Sequence, residues 1–238
     1  RPANHVYEHM ARTHGTRDGD RAAWETDGDE IVLKAPDGGL AMLPLFDRDW
    51  LVLDEIITVD PYDEMLVAQR LAPNGKGTEF IVTLFQPERM ADGAFREILS
   101  MMRESMSALK RLLEEQGHFE EWPMRARTVS VSIDRDPGNV FDYVSRIDKL
   151  PQWAMRFIKA MSRPPGDWFA PPRGNVRVRL HANHRTGIAD QHIIPEPGVI
   201  FPVPVRVLPN NAGSEVTVTL FQPEGMPDRM FDTITDRA

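Results

Sequence analysis

The chain has 238 residues, of which 41% are hydrophobic and 27% are charged. This balance is ordinary for a soluble globular protein, and no apolar run approaches the roughly 18 residues that a membrane-spanning helix needs. The net charge of -8 and the lack of any basic run argue against nucleic acid or an anionic membrane as the partner, because both reward clustered Lys and Arg.

The chain contains no cysteine, which excludes a disulfide framework, a thiol nucleophile and a thiolate metal ligand. This composition is compatible with a reducing compartment, and we expect a cytoplasmic location. The chain begins at Arg1 and not at a methionine, which leaves open that it is a fragment or that a signal peptide was removed. It has no nucleophile motif, phosphate-binding glycine loop or dinucleotide fingerprint, so we expect no cofactor.

The first clear element in chain order is a β-hairpin. Apolar and polar residues alternate over Met65–Leu71 and over Thr78–Phe85, on either side of the turn-forming segment Pro73–Lys76. Alternation at period two around such a segment predicts antiparallel strands, and Asn-Gly is a strong turn signal. Centring the turn on the tetrapeptide places Arg70 opposite Glu79, as a solvated pair that fixes the hairpin register.

The outgoing strand of this hairpin contains a heptapeptide, VTLFQPE, that occurs at Val82–Glu88 and again at Val218–Glu224. When the chain is aligned with itself at that interval, roughly 20 of about 45 positions are identical over Asp54–Ile98. Such a match indicates a duplicated unit and not a short-period repeat. We therefore predict two domains, residues 1–117 and residues 127–238.

A long amphipathic helix follows the first heptapeptide. Asp92 is a suitable N-cap, and apolar residues recur at spacings of three and four, which predicts a helix that ends near Glu115. Met102 and Met106 lie on the apolar stripe, where flexible and polarizable side chains suit an adaptable pocket wall. The alternative is that both methionines only fill gaps in a core.

The second copy opens with an alternating strand, Thr128–Asp134, after a short linker. The first copy starts at Arg1 with no strand before it, so we expect its first strand to be missing. Two short helices follow in the second copy, and the later one carries Trp153 and Phe157 at a spacing of four. Trp153 is a candidate to gate a cavity mouth, and the alternative is a tryptophan packed in the core.

Three histidines lie in or near the next predicted strands, namely His181, His184 and His192. The spacing of three between the first two directs side chains to different faces of a strand, so we expect no metal site. Asp190 and His192 share a face, and inside a cavity they would form a general acid–base pair. With a four-residue turn Asp190 would instead lie opposite Arg179 as an outward ion pair, and the sequence leaves this register open.

The second hairpin repeats the first, with Arg206 predicted opposite Glu215 and with a wholly apolar face on its other side. Gln86 and Gln222 end the outgoing strands on that apolar face. If this face is a cavity wall, each amide could bind a carbonyl or hydroxyl group of a ligand; the alternative is that it caps backbone groups at the strand end. The last helix starts at Asp228, and we expect it to be truncated.

The order of one strand, two short helices, several antiparallel strands and a long helix is similar to that of the START and polyketide-cyclase-like superfamily (SRPBCC), whose fold is described as a helix grip. The segments that carry the resemblance are DPGNVFDYVSRIDKLPQW, GIADQHI and PVRVLPNNAGSEVTVTLFQPEGM in the second copy, and RPANHVYEHM, LVLDEII and AQRLAPNGKGTEFIVTLFQPERM in the first. The resemblance implies an α+β chain of two tandem helix-grip domains, each a curved antiparallel sheet wrapped around a long C-terminal helix.

The resemblance also implies an apolar cavity that holds a lipid, polyketide, sterol or aromatic metabolite. It leaves three hypotheses open: ligand binding without catalysis, a cyclase or aromatase in which Asp190 and His192 move protons, and an interaction module, since the superfamily includes activators of a chaperone ATPase. Apolar residues around Trp50 in the first copy further suggest packing between the two domains. The candidate ligand contacts are Gln86, Gln222, Met102, Met106, Trp153 and Phe157.

Overall fold

A computed structural model describes residues 2–15, 24–27, 30–35, 38–58, 64–115, 124–154, 158 and 176–236. The chain divides into two compact units, Arg1–Pro123 and Met124–Ala238, called unit 1 and unit 2. Within these residues each unit combines helices with an antiparallel sheet of six strands, so the predicted α+β class is confirmed.

Unit 1 is a meander of strands between two helices. Its six described strands lie in the sheet in chain order, and each pairs antiparallel with the next. The elements are α1 (Ala3–Gly15), β1 (Trp24–Asp27), β2 (Glu30–Ala35), β3 (Gly38–Asp47), β4 (Val52–Thr58), β5 (Glu64–Asn74), β6 (Gly77–Leu84) and α2 (Asp92–Glu115).

The core of unit 1 lies between α1 and the middle of the sheet. Apolar residues at spacings of three and four along α1 form one buried stripe, as expected for an amphipathic helix. Partly buried residues from both helices and from β3 and β6 pack around it, among them Phe46. The buried cluster consists of Ala3, Val6, Tyr7, Met10, Leu53 and Leu71.

Helix α2 has the bounds that its apolar periodicity predicts. Asp92 is its first residue and not the predicted N-cap. No α2 residue is buried, although Leu109 and Leu113 in its last turns pack against the core. Within the described residues neither this helix nor any other is long and apolar enough to cross a membrane.

Unit 2 begins with a strand, whereas the described part of unit 1 has none before α1. The sheet order is β10-β9-β11-β12-β7, and β8 pairs with the other edge of β9. The elements are β7 (Ala126–Ile133), α3 (Pro137–Val144), a 3-10 turn (Ile147–Lys149), α4 (Leu150–Trp153), β8 (Arg177–Asn183), β9 (Ile188–Glu196), β10 (Val199–Val203), β11 (Val205–Asn210), β12 (Gly213–Phe221) and α5 (Asp228–Thr235).

Local chemistry fixes the start of α3. The Asp136 carboxylate accepts hydrogen bonds from the backbone N–H groups of Gly138 and Asn139, at 3.0 and 3.2 Å. Pro137 occupies the first helical turn, where its missing N–H is not needed. This cap fixes the direction in which α3 leaves β7. The helix then packs its apolar side on the sheet.

The buried core of unit 2 lies where its helices pack against the sheet. Its described members come from the first two helices and the residues after α4, from strands β9 to β12, from α5 and from the corner before it. They are Val140, Phe141, Val144, Leu150, Ala154, Ile158, Ala189, Ile193, Val203, Val205, Val207, Val216, Leu220, Met226 and Phe231.

The second hairpin closes on a two-residue turn, which corrects the predicted register. Asn211 adopts the left-handed conformation (φ 50°) that such turns need. Pairing therefore shifts by two residues, so that Arg206 lies opposite Thr217 and its predicted pairing with Glu215 is wrong. Both charged residues are buried and not solvated, and Arg206 Nε donates to the carbonyl oxygen of Thr186 at 3.0 Å.

The first hairpin has the same turn, with Gly75 in the left-handed conformation (φ 59°). Arg70 lies opposite Ile81, so its predicted pairing with Glu79 is wrong as well. Instead the Glu79 carboxylate accepts a hydrogen bond from Asn74 Nδ2 at 3.3 Å. The second hairpin contains the equivalent asparagine–glutamate bond, at 3.4 Å.

Candidate functional site

The strand pairing of unit 2 defines which side chains face its core. Val178 on β8 lies opposite Ile193 on β9, and Leu180 lies opposite Gln191. Opposite residues share a face of the sheet, and Ile193 belongs to the buried core. We call this the inner face, so that Leu180 and Gln191 both belong to it.

A cleft of about 610 Å³ lies beside β8. Its volume is within the range of small-molecule sites. One wall is the corner between α3 and the 3-10 turn, and the other is β8 with part of β9. The described lining residues of this cleft, called the β8 cleft, are Ser145, Ile147, Arg177, Val178, Arg179, Leu180 and Ile194.

The chemical character of the β8 cleft is apolar with a positive component. Four of its described lining residues are aliphatic, and none is acidic. Arg177 and Arg179 are exposed and contribute two guanidinium groups. Such a surface suits a ligand with an apolar body and an anionic or polar group.

A buried amide lies next to the cleft wall. Gln191 is only 1% exposed, and no described residue accepts a hydrogen bond from its Nε2. Its cross-strand partner is Leu180, which lines the cleft. The amide is therefore one strand inward from the β8 cleft, on the face that carries the core.

Unit 1 has a polar side chain at the equivalent place. Glu55 is the residue that the sequence repeat aligns with Gln191. It shares the face of β4 with Leu53, a member of the unit 1 core, and it is 4% exposed. The duplicated sheet thus carries a buried polar group at one position of the inner face in both units, an amide in one and a carboxyl in the other.

The repeated glutamines hold the corner before each final helix. Gln86 Nε2 donates to the carbonyl oxygen of Met90 at 2.8 Å and to Asp92 Oδ1 at 2.9 Å. Gln222 makes the same two bonds in unit 2, at 2.6 and 2.8 Å. This arrangement matches the structural alternative, in which the amide satisfies backbone and helix-terminal groups at the strand end.

The other candidate ligand contacts are spread over both units. Met102 and Met106 are half-buried on α2. Trp153 ends α4 and is 37% exposed. Phe157 lies outside the described residues. Trp153 is not among the described residues that line the β8 cleft.

Asp190 and His192 belong to the opposite face of β9 from Gln191. Asp190 lies opposite His181, and its Oδ1 accepts a hydrogen bond from the backbone N–H of Val205 at 3.0 Å. The ion-pair alternative is therefore wrong, because Arg179 lies opposite His192. In unit 1 the aligned aspartate accepts a backbone N–H bond in the same way, at 2.8 Å.

The imidazole of His192 packs against that of His181, with ring centroids 4.8 Å apart. Burial lowers the pKa of His192, the positive charge of a protonated His181 lowers it further, and Asp190 acts in the other direction. The part of the chain that the structure describes holds no group of three or more His, Asp or Glu placed to bind a metal ion.

No protein-family model and no curated protein matches the chain. Among solved structures it is similar to DynU16, a protein in the dynemicin biosynthetic locus, at 16% identity and a TM-score of 0.36, over 99% of this chain and 89% of that one. It is also similar to two di-domain ARO/CYC proteins. StfQ, from the steffimycin pathway, has 13% identity and a TM-score of 0.30, over 99% of this chain and 88% of its own.

The second of these proteins, BexL from the BE-7585A pathway, has 14% identity and a TM-score of 0.36, over 92% of this chain and 81% of its own. All three identities lie below 25% and all three TM-scores below 0.5. These matches therefore assign neither a family nor an activity to this chain.

Sequence reasoning missed the cleft arginines and the buried polar pair at positions 55 and 191. A signal for Gln191 was available, because it lies between Ala189 and Ile193 on one face of the predicted strand, and that face is otherwise apolar. The neighbouring Asp190 and His192 drew attention to the other face. No local pattern marks Arg177 and Arg179 as cleft residues, since the opposing wall comes from a distant segment.

Proposed function

We propose that the protein binds an apolar small molecule in the β8 cleft of unit 2. The observation that carries the proposal is the cleft of about 610 Å³, whose wall includes Ile147, Val178 and Leu180. Apolar surface that leaves water contributes about 25 cal/mol per Å², so a ligand of aromatic-metabolite or acyl-chain size gains most of its affinity from such a wall.

The charge of the cleft narrows the class of ligand. Arg177 and Arg179 face it without any acidic residue among the described lining. An exposed charge pair contributes about 0.2–1 kcal/mol, so the two arginines tune affinity and do not dominate it. We expect apolar anions to bind better than neutral molecules of the same shape.

We also propose that both units are helix-grip domains of the START and polyketide-cyclase-like type, spanning residues 1–117 and 127–238. The sequence resemblance supports this assignment, as do the equivalent hydrogen bonds of Gln86 and Gln222 at the corner before each final helix. The ligands that the resemblance implies, lipids, polyketides and aromatic metabolites, are of the class that suits the β8 cleft. Packing between the two domains around Trp50, and a cytoplasmic location, stay predictions.

Binding without catalysis is favoured over a cyclase or aromatase reaction. Proton transfer by Asp190 and His192 requires both groups to face the interior of unit 2, whereas both lie on the face of β9 opposite to the core. The Asp190 carboxylate is also engaged by the backbone of Val205. The third hypothesis, an interaction module, stays a prediction.

A titration with anilinonaphthalene sulfonate (ANS), an aromatic anion whose fluorescence rises when it leaves water, tests the proposal. Leu180→Trp fills the cleft, and Ile200→Trp is the matched control, because Ile200 is exposed on β10 and does not line the cleft. Circular dichroism verifies that both variants are folded. We expect Leu180→Trp to weaken ANS binding at least about tenfold and the control to bind like wild type. Equal binding by all three proteins contradicts the proposal.

A further inference from the structure

The interior of unit 2 contains a hydrogen-bond donor that the described protein atoms do not satisfy. Gln191 Nε2 is buried, and no described residue accepts a hydrogen bond from it. A buried donor without an acceptor costs about 1–3 kcal/mol, and such groups are uncommon in native proteins. A methionine or leucine would fill the same space without this cost, so the amide calls for an explanation in terms of function.

The position of the amide connects it to the β8 cleft. Opposite side chains on paired antiparallel strands have their Cβ atoms about 4.5–5.5 Å apart. Gln191 lies opposite Leu180, and Leu180 lines the cleft. The neighbouring inner-face residues Val203 and Ile193 are aliphatic and buried, so they offer the amide no acceptor side chain. Gln191 is not itself among the described lining residues of the cleft, so a ligand oxygen reaches the amide only past the side chain of Leu180.

The duplication supports a functional reason for polarity at this position. The aligned residue in unit 1, Glu55, is also buried on the inner face, although most inner-face positions around both residues are apolar. The two units keep a polar group at the same place and differ in its hydrogen-bonding character. An amide offers a donor, while an ionised carboxylate offers only acceptors.

We propose that Gln191 is a specificity-determining residue of the β8 cleft, and that its Nε2 donates a hydrogen bond to an oxygen acceptor of the ligand. This rests on the proposed function, since the ligand must first occupy the cleft. The ligand class is then an apolar molecule with an internal carbonyl, ether or hydroxyl oxygen. A pure hydrocarbon of the same shape leaves the donor unsatisfied and binds more weakly.

Displacement of ANS by two matched ligands tests the inference. Acetylnaphthalene carries a carbonyl oxygen, and isopropenylnaphthalene of the same substitution pattern replaces that oxygen by an isosteric CH₂. The ratio of the two affinities is measured in wild type and in Gln191→Met, which keeps the length of the side chain and removes the amide. Comparing the ratios cancels the difference in hydration between the ligands.

We expect the preference for the ketone to fall about tenfold in Gln191→Met, because one buried hydrogen bond is lost. Gln152→Met is the matched control, since Gln152 is exposed on α4 and does not line the cleft, and it should leave the ratio unchanged. The melting temperature of unliganded Gln191→Met should equal or exceed that of wild type. A purely structural glutamine would lower it on substitution and would leave the ligand ratio unchanged.

Two outcomes are distinguishable. If both naphthalenes displace ANS and the ratio is the same in wild type and Gln191→Met, the inference is overturned and the proposed function stands; a buried water that serves the amide gives this result. If neither ligand nor ANS binds, the proposed function fails, and the inference fails with it.

Discussion

Units 1 and 2 repeat the same corner and helix start but bury them differently. Phe95 and Phe231 are aligned by the repeat, and each lies in the first turn of the helix after the heptapeptide. Phe231 is 1% exposed in the core of unit 2, whereas Phe95 is only half-buried. The long amphipathic helix α2 therefore has fewer buried residues than the eight-residue helix α5.

The strand that opens unit 2 supplies the physical reason. Arg125, just before β7, places its guanidinium 5.5 Å from the centre of the Phe231 ring and pairs with Asp232 at 2.6 Å. Its carbonyl oxygen accepts a hydrogen bond from Gln222 N at 2.7 Å. In unit 1 the equivalent strand β6 lies at the edge of the described sheet, with no described strand on its outer side. Apolar periodicity thus predicts that a helix forms, and the neighbouring elements decide how deeply it is buried.

Alanine substitution at the two phenylalanines should give the largest contrast. We expect Phe231→Ala to destabilise unit 2 by about 3–5 kcal/mol, because a filled core position becomes a cavity. Phe95→Ala should destabilise unit 1 by no more than about half of that, since its side chain is only partly removed from water. Urea unfolding followed by hydrogen–deuterium exchange reports each unit separately. Equal losses in the two units would contradict the account of their packing.

Substitution of the corner glutamine should destabilise both units to a similar extent. Gln86→Ala and Gln222→Ala each remove two hydrogen bonds of equivalent geometry. We expect each to destabilise its own unit by about 1–3 kcal/mol. The same exchange experiment measures both effects. A loss in one unit only would show that the repeated sequence does not perform the same structural role twice.

The cleft arginines should have a smaller effect, confined to unit 2. The double substitution Arg177→Gln and Arg179→Gln should weaken ANS binding about two- to tenfold and reduce its dependence on salt concentration. A matched control is Arg127→Gln with Arg135→Gln, two exposed arginines elsewhere in unit 2. An unchanged salt dependence in the cleft variant would remove the case for an anionic ligand.

The contribution of His192 to the pH dependence of stability should be the smallest of these effects. Its pKa in the folded protein lies below the ordinary 6.5, mainly because of burial. The unfolded chain therefore binds the proton more tightly, so the contribution of His192 to stability is complete above about pH 6.5 and is lost as the pH falls through its folded pKa. His192→Gln should make stability less sensitive to acid in this range, as measured by urea unfolding at several pH values. His184→Gln, at an exposed histidine, is the control.

Helix α2 and the opening strand of unit 2 could be predicted because their signals are local. The α2 bounds follow from spacings of three and four, and the opening strand of unit 2 follows from alternation over Thr128–Asp134. The hairpin register could not be predicted, since Pro209–Ala212 allows two centres and the left-handed conformation of Asn211 selects one of them. The error of two residues in the Arg–Glu pairs comes from this choice.

The candidate site was predicted less well than the fold, because it depends on contacts between distant segments. The β8 cleft joins the corner at Ser145 to a strand that begins at Arg177, and no sequence pattern connects the two. Gln191 was predictable as an inner-face residue, but its missing partner is visible only when the surrounding side chains are in place.

A crystal structure of the protein with acetylnaphthalene would test the central claim most directly. We expect electron density for the ligand in the β8 cleft, with its carbonyl oxygen about 3 Å from Gln191 Nε2. Density at another place, or a ligand in the cleft whose oxygen points away from Gln191, would contradict it.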